Sequence, residues 1–124
     1  MKFRYARHTS NLEKLETFYT KILDFDILGS FENHDGYDGL FLGKKDADWH
    51  LEFTKSDELA NQIFDEDDLL VFYPESNSEF KQIMANIQLH SVKIEVSKNP
   101  YWKENGIKIS DPDGFGIIIS KIIH

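Results

Sequence analysis

The sequence predicts an α+β fold of two βαβββ modules, paired to form a concave mixed sheet with the helices outside. Alternating apolar and polar residues mark strands, and apolar residues three or four apart mark two helices. Strand, helix, three strands occurs twice, and the polar, acidic residues 55–67 separate the two repeats. We therefore expect one domain over 1–124, with module one at 1–54, a linker at 55–67 and module two at 68–124.

Module one begins with a strand in KFRYARHT, whose alternation places Arg4, Ala6 and His8 on one face. Ser10 or Asn11 is the expected N-cap of the helix that follows. The helix is predicted from apolar residues at helical spacing: Leu12, Leu15, Phe18, Tyr19, Ile22 and Leu23.

Three strands complete module one, in FDILGSFE, YDGLFLG and DWHLEFT. The NHDGYDG segment supplies the turn between the first two, and Gly36 and Gly39 are free to take positive φ. In DWHLEFT, alternation places His50 and Glu52 on one face, opposite Leu51 and Phe53. That face therefore carries a histidine and a carboxylate side by side.

Module two follows the same order. The strand DLLVFY stops at Pro74, and Ser76 with Glu79 forms a capping box for a helix. Three further strands are predicted in HSVKIEVS, GIKIS and GFGIIISKII, with NPYW as a loop between the first two. DPDG is a tight turn in which Gly114 accepts positive φ.

Composition excludes several classes of function. The chain has 124 residues, of which 40% are hydrophobic and 14% aromatic, as in a soluble globular domain. It has no cysteine and a formal charge of −8, which excludes thiolate chemistry and disfavours nucleic acid. No segment resembles a signal peptide or a membrane span, so we expect a cytoplasmic protein without membrane contact.

Several motifs together resemble the vicinal oxygen chelate superfamily, which includes glyoxalases, bleomycin resistance proteins and extradiol dioxygenases. The matching segments are SNLEKLETFYTKILDFDILG, HLEFT and DPDGFGIIIS. FENHDGYDGLFLG, LLVFY and NPYW also resemble a bacterial glyoxalase-like subgroup without an assigned reaction. The resemblance covers nearly the whole chain and implies paired βαβββ modules that work as a homodimer.

In metal-using members, four ligands come from the first and last strands of each module, usually His, Glu or Gln. The resemblance places the corresponding positions at Arg4, at Glu52, near Asp68 and at Ile118. Arginine stays protonated and isoleucine has no donor atom, so neither can bind a metal. Glu52 and Asp68 remain as metal candidates, with His8 or His50 as substitutes. We expect no cofactor, and a divalent metal remains the alternative.

Other residues gain roles as ligand-binding candidates. Arg4 and Glu52 lie on neighbouring strands in this fold, so we expect them to form an ion pair that either fills the metal position or holds an anionic ligand. His8 and His50 are either acid–base groups or hydrogen-bonded histidines on a partly wet strand. Tyr101 and Trp102 either line a ligand pocket or pack against the other module or a dimer partner.

Three functions compete. The first is metal-independent binding of a small aromatic or cationic molecule in the cup of the sheet, as in bleomycin resistance proteins. The second is a lyase, isomerase or dioxygenase of the same superfamily, which uses a divalent metal or Arg4, His50 and Glu52 directly. The third is an interaction module with a filled pocket. We favour the first and leave open whether the protein is an enzyme.

Overall fold

The computed structural model describes residues 1–123. The chain divides into two compact units, Met1–Gln62 and Ile63–His124, and the division falls inside the predicted linker. His124, the last residue of predicted module two, lies outside the described residues. No helix in the described part is long and apolar enough to cross a bilayer.

The first unit has the predicted order of one strand, one helix and three strands. Its elements are β1 (Phe3–His8), α1 (Leu12–Lys21), β2 (Asp26–His34), β3 (Tyr37–Gly43) and β4 (Trp49–Lys55). The sheet has the order β1-β4-β3-β2. Strand β1 pairs with β4 in parallel, and the other pairs are antiparallel, so the sheet is mixed as predicted.

Helix α1 packs on one side of this sheet. The helix contributes Leu15, Phe18 and Tyr19 to the core, and the ring of Tyr19 lies 5.2 Å from that of Phe53 in β4. The other buried strand residues on this side are Leu40, Leu42 and Leu51. Each such side chain stabilises the unit by about 1.5–3 kcal/mol relative to an exposed one. This core leaves the opposite side of the sheet to polar and aromatic residues.

Asn11, one of the two predicted caps, begins α1. Its side-chain oxygen accepts a hydrogen bond of 3.0 Å from the amide of Lys14. In the β2–β3 turn, Gly36 takes the expected positive φ of 85°. The same expectation is wrong for Gly39, which has no positive φ and is an ordinary strand residue of β3. Glycine is needed at this position because the ring of Phe31 occupies the space that a side chain would take.

The second unit contains β5 (Leu69–Phe72), α2 (Asn77–Leu89), α3 (Pro100–Asn105), β6 (Gly106–Ser110) and β7 (Gly116–Ser120). Its sheet has the order β5-β7-β6, with β5 parallel and β6 antiparallel to β7. Two modules with mixed sheets confirm the α+β class. Every residue of β7 is buried.

The second unit differs from the prediction in the stretch between α2 and β6. The expected strand over HSVKIEVS forms only one bridge, between Glu95 and Lys108. The predicted loop NPYW is instead the beginning of α3, capped by the side chain of Asn99 and started by Pro100.

The other local signals of the second unit act as predicted. Ser76 accepts a bond of 3.1 Å from the amide of Glu79, as the capping box requires. The Glu79 carboxylate reaches back to the amide of Glu75 at 3.0 Å instead of that of Ser76. In the DPDG turn the amide of Gly114 donates to the carbonyl of Asp111 at 2.9 Å, and Gly114 has a φ of 88°.

Candidate functional site

The side of the first sheet that faces away from α1 carries a polar cluster. We call it the Arg4 face and define it by Arg4, His8, Phe41, His50 and Glu52. The strand registers place these residues together, because Arg4 pairs with His50 across β1–β4, and Phe41 pairs with Glu52 across β3–β4. Period-two alternation then directs all of their side chains to the same side.

Arg4 is the centre of the cluster. Its Nη1 lies 3.3 Å from Oε1 of Glu52, which is the ion pair expected from the sequence. Its Nε donates a hydrogen bond of 3.0 Å to Nε2 of His50. The Arg4 side chain is 51% exposed and that of Glu52 only 14%. The guanidinium is therefore fixed at two atoms while half of its side chain stays accessible.

The bond from Arg4 assigns the state of His50. Because arginine nitrogens can only donate, Nε2 of His50 must be the acceptor. This contact assigns the tautomer of the imidazole with the hydrogen on Nδ1. The sequence left His50 as either an acid–base group or a hydrogen-bonded histidine, and the second description fits this geometry. The Nε2 lone pair that a general base or a metal ligand would use is already engaged.

Aromatic rings extend the cluster towards β2. The guanidinium carbon of Arg4 lies 5.2 Å from the centroid of the Phe41 ring, which is 5.7 Å from His50 and 5.9 Å from Phe31. The Phe31 ring lies directly on Gly39: a Cβ there would come within 2.1 Å of Cε1 of Phe31. Alternation in YDGLFLG separates Phe41 from Leu40 and Leu42, and this signal could have assigned Phe41 to the site.

His8 has its own partners at the other end of β1. Its Nδ1 is 2.8 Å from the hydroxyl of Thr54, and its Nε2 is 3.1 Å from that of Ser56. The Tyr37 ring packs edge-on at 5.8 Å. Both ring nitrogens are thus engaged by hydroxyl groups, and no bond between His8 and Arg4 is present.

Tyr101 and Trp102 belong to the second unit and lie in α3. Their rings are in contact at 4.7 Å, and Trp102 is 6.4 Å from the ring of Tyr73. Trp102 is half-buried against β6, since a Cβ on Gly106 would lie 3.1 Å from its Cε3. Tyr101 is 53% exposed. Trp102 therefore packs within its own unit, and Tyr101 is the ring that remains accessible.

The residues at the four positions that the resemblance implies for metal ligands do not fit a metal. Arg4 is a cation, and its Nη1 forms an ion pair with Oε1 of Glu52. In the second unit Ile118 is fully buried and has no donor atom, while Asp68 accepts the amide of Asp65 at 3.2 Å. Among residues 1–123, no three His, Asp or Glu side chains are grouped as metal ligands would be. Divalent-metal chemistry has no support in this donor set.

A cavity of about 470 Å³ lies on the other side of the first sheet. It is formed by the first half of α1, by β2 and β3, and by Lys55. Four carboxylates line it, those of Glu13, Glu16, Glu32 and Asp38. None of the residues predicted as ligand-binding lines this cavity, and no sequence motif indicated it.

Comparison with known proteins assigns the chain to a family. Residues 3–54 match the model of the YycE-like N-terminal domain, and residues 67–121 match the YycE-like C-terminal domain. The uncharacterized protein YycE of Bacillus subtilis (strain 168) is 36% identical over 118 residues, covering 94% of this chain and 85% of that protein. The two matched domains correspond closely to the two modules.

Solved structures share the fold. A YycE protein of unknown function from Bacillus subtilis superposes with a TM-score of 0.86 at 35% identity, covering 99% of this chain and 90% of that one. The trypanothione-dependent glyoxalase I of Leishmania major gives 0.73 at 21% identity, covering 94% and 83%. The antibiotic-binding protein TnmS3 from Streptomyces sp. CB03234 gives 0.69 at 22%, covering 97% and 93%.

The two βαβββ-like units and these structural neighbours define a protein of the vicinal oxygen chelate superfamily, as the sequence motifs implied. Within that superfamily, the chain belongs to the YycE-like family.

Proposed function

We propose that this protein binds a small molecule on the Arg4 face without a metal ion. The observation that carries the proposal is the state of Arg4. Its guanidinium is held by Glu52 and His50, yet its side chain is 51% exposed. Among the described residues these bonds use two of the five guanidinium N–H groups, and the others can reach a ligand.

The surroundings of Arg4 support binding more than catalysis. Nε2 of His50 is engaged by the bond from Arg4, and Glu52 is engaged by the same guanidinium. Neither residue is placed as a free base. The structural neighbour TnmS3 is an antibiotic-binding protein, so a fold of this kind is compatible with binding alone.

The alternative is a divalent-metal-dependent lyase, isomerase or dioxygenase, since the neighbouring glyoxalase I is an enzyme. The donor set described above argues against this alternative, because a cation stands where a metal ligand is needed. Tyr101 is a further contact candidate of the binding function, since its ring is accessible. The proposal also includes a homodimer in the cytoplasm.

The test begins with metal content and continues with a fragment screen. Purified, tag-free protein is titrated with Mn²⁺, Fe²⁺, Ni²⁺ and Zn²⁺, and a library of small acids, amines and neutral rings is then screened by NMR. We expect no stoichiometric metal binding and fragment hits that shift the resonances of Arg4, His50 and Glu52. Arg4→Ala should weaken these hits at least about tenfold, or about 1.4 kcal/mol.

Lys2→Ala is the matched control, because it also removes one positive charge beside β1 but leaves Arg4 in place. Its fragment affinities should equal those of the parent. Tight metal binding that Glu52→Ala abolishes would overturn the proposal in favour of the enzyme. Hits confined to the cavity beside α1, unaffected by Arg4→Ala, would also overturn it.

A further inference from the structure

We infer that the ligand of the Arg4 face is a planar aromatic anion, whose ring stacks on the outer face of the Arg4 guanidinium. The inference rests on the proposed function and names the class of compound. It goes beyond that function because the geometry around one guanidinium specifies both the shape and the charge of the ligand.

The guanidinium of Arg4 already has an aromatic neighbour on one side. The Arg4 guanidinium carbon lies 5.2 Å from the centre of the Phe41 ring, within the range of a cation–π contact. A guanidinium is flat and has two faces. Phe41 lies on one side of it, and the 51% exposure of the Arg4 side chain leaves room on the other. An aromatic ligand would complete a sandwich of ring, guanidinium and ring.

The second step is the fixed orientation of that plane. His50 holds Nε at 3.0 Å and Glu52 holds Nη1 at 3.3 Å, so the guanidinium is restrained at two of its three nitrogens. An exposed arginine otherwise loses rotamer freedom on binding, which costs free energy. Restraint before binding removes part of that cost and favours a ligand whose contact surface is flat.

The third step is the aromatic surface beside the guanidinium. Phe31 lies 5.9 Å from Phe41, and it can lie flat on β3 only because Gly39 has no side chain. The Phe31 and Phe41 rings are tilted by 49° to each other, and with the Arg4 guanidinium they add aromatic surface to the face. A fused or substituted ring covers such a surface better than a flexible chain does.

The fourth step is charge. Glu52 is mostly buried and already paired, so the accessible charge of the cluster is the positive one of Arg4. The free N–H groups of Arg4 match the two oxygens of a carboxylate. A cationic ring would instead face the guanidinium and be repelled by it. The local charge thus favours an anion, although the whole chain carries −8.

Three probes with the same two-ring carbon skeleton separate the effect of aromaticity from the effect of charge: 2-naphthoate, decahydro-2-naphthoate and 2-naphthalenemethanol. Their dissociation constants are measured by NMR titration on the full chain. We expect 2-naphthoate to bind at least tenfold more tightly than either of the others. We also expect ring-current shifts of the Arg4 Nε–H resonance with the two aromatic probes only.

Two variants test the stacking itself. Arg4→Lys keeps the charge but removes the plane, and it should bring the preference of naphthoate over its saturated analogue close to one. Lys2→Ala should leave that preference unchanged. Folding of Arg4→Lys is verified if its NMR spectrum matches that of the parent outside the Arg4 face. Phe41→Leu removes the ring beside the guanidinium and should lower the preference for naphthoate over its saturated analogue at least threefold.

The outcomes distinguish the two proposals. If saturated and aromatic acids bind equally at the Arg4 face, the function stands and the aromatic inference is wrong. If the neutral alcohol binds as tightly as the acid, the anionic part is wrong. If no probe shifts Arg4, His50 or Glu52 while other fragments do, the ligand class is wrong. If no fragment of any kind does so, the binding function itself fails.

Discussion

At the scale of single residues, Arg4 organises the cluster through nitrogen atoms that can donate hydrogen bonds but cannot accept them. Arginine remains charged at any pH relevant to a cell and cannot accept a hydrogen bond. Its partners must therefore be acceptors, which assigns Nε2 of His50 and Oε1 of Glu52 without reference to any ligand. An exposed ion pair of this kind contributes at most about 1 kcal/mol to stability. The ion pair therefore contributes little to folding.

The state of His50 can be measured directly. Long-range ¹H–¹⁵N correlation spectra at neutral pH should show Nε2 of His50 unprotonated and Nδ1 protonated, since the Arg4 bond stabilises that tautomer by about 1.5 kcal/mol or more. In Arg4→Ala the donor is absent, and the tautomer populations should shift towards Nε2–H. An unchanged tautomer in the variant, or a protonated Nε2 in the parent, would contradict the assigned bond.

At the scale of elements, one glycine in each sheet makes room for a neighbouring aromatic ring. Gly39 lets the Phe31 ring lie on β3, and Gly106 lets Trp102 and Ile118 approach β6, where a Cβ would come within 2.6 Å of Cγ2 of Ile118. Neither glycine is required for a positive φ, because both lie in strands. Close packing of aromatic rings against strands is the shared reason for both.

The start of α1 is the element whose stability is easiest to test. Asn11→Ala removes the acceptor of the Lys14 amide and should lower the free energy of unfolding by about 1 kcal/mol. Asn11→Asp and Asn11→Ser retain a side-chain acceptor and should stay within a few tenths of the parent. Urea unfolding followed by circular dichroism measures all three. A variant with alanine as stable as the parent would show that this cap does not contribute.

At the scale of the whole molecule, each unit has its own apolar core. The first unit buries Tyr19, Leu42 and Phe53, and the second buries Ile109 and all of β7. Large apolar side chains nevertheless remain exposed in both, including Phe3 at 64% and Val96 at 79%. Phe3 and Val96 are therefore side chains at which the proposed homodimer can be tested.

The proposed homodimer predicts a definite mass. Light scattering on a sizing column should give twice the chain mass of 14.5 kDa at micromolar concentration. Phe3→Ser and Val96→Ser should move the equilibrium towards the monomer if those side chains are in the interface. A mass of one chain over the full concentration range would contradict the dimer and leave the Arg4 face to be tested on a monomer.

Much of this architecture could be predicted because its signals are local. Period-two alternation gave the side of β4 that carries His50 and Glu52, the caps at Asn11 and Ser76 began the helices, and Gly36 and Gly114 turned the chain. The expected strand over HSVKIEVS failed because a strand needs a neighbour, and only Glu95 pairs. Trp102, predicted in a loop, lies instead in α3, which Asn99 caps and Pro100 begins.

The sequence by itself determined the two-module α+β fold and the face of β4 that carries His50 and Glu52, because both depend on residue type and alternation. The pairing of Arg4 with Glu52, and the expectation that Arg4 and Ile118 stand at metal-ligand positions, came from the resemblance to the superfamily. Only the tertiary structure decided that His50 accepts from Arg4, that Phe41 lies under the guanidinium and that Phe31 rests on Gly39. These contacts join β1, β2, β3 and β4, and the strand register that brings them together is not written in any one segment.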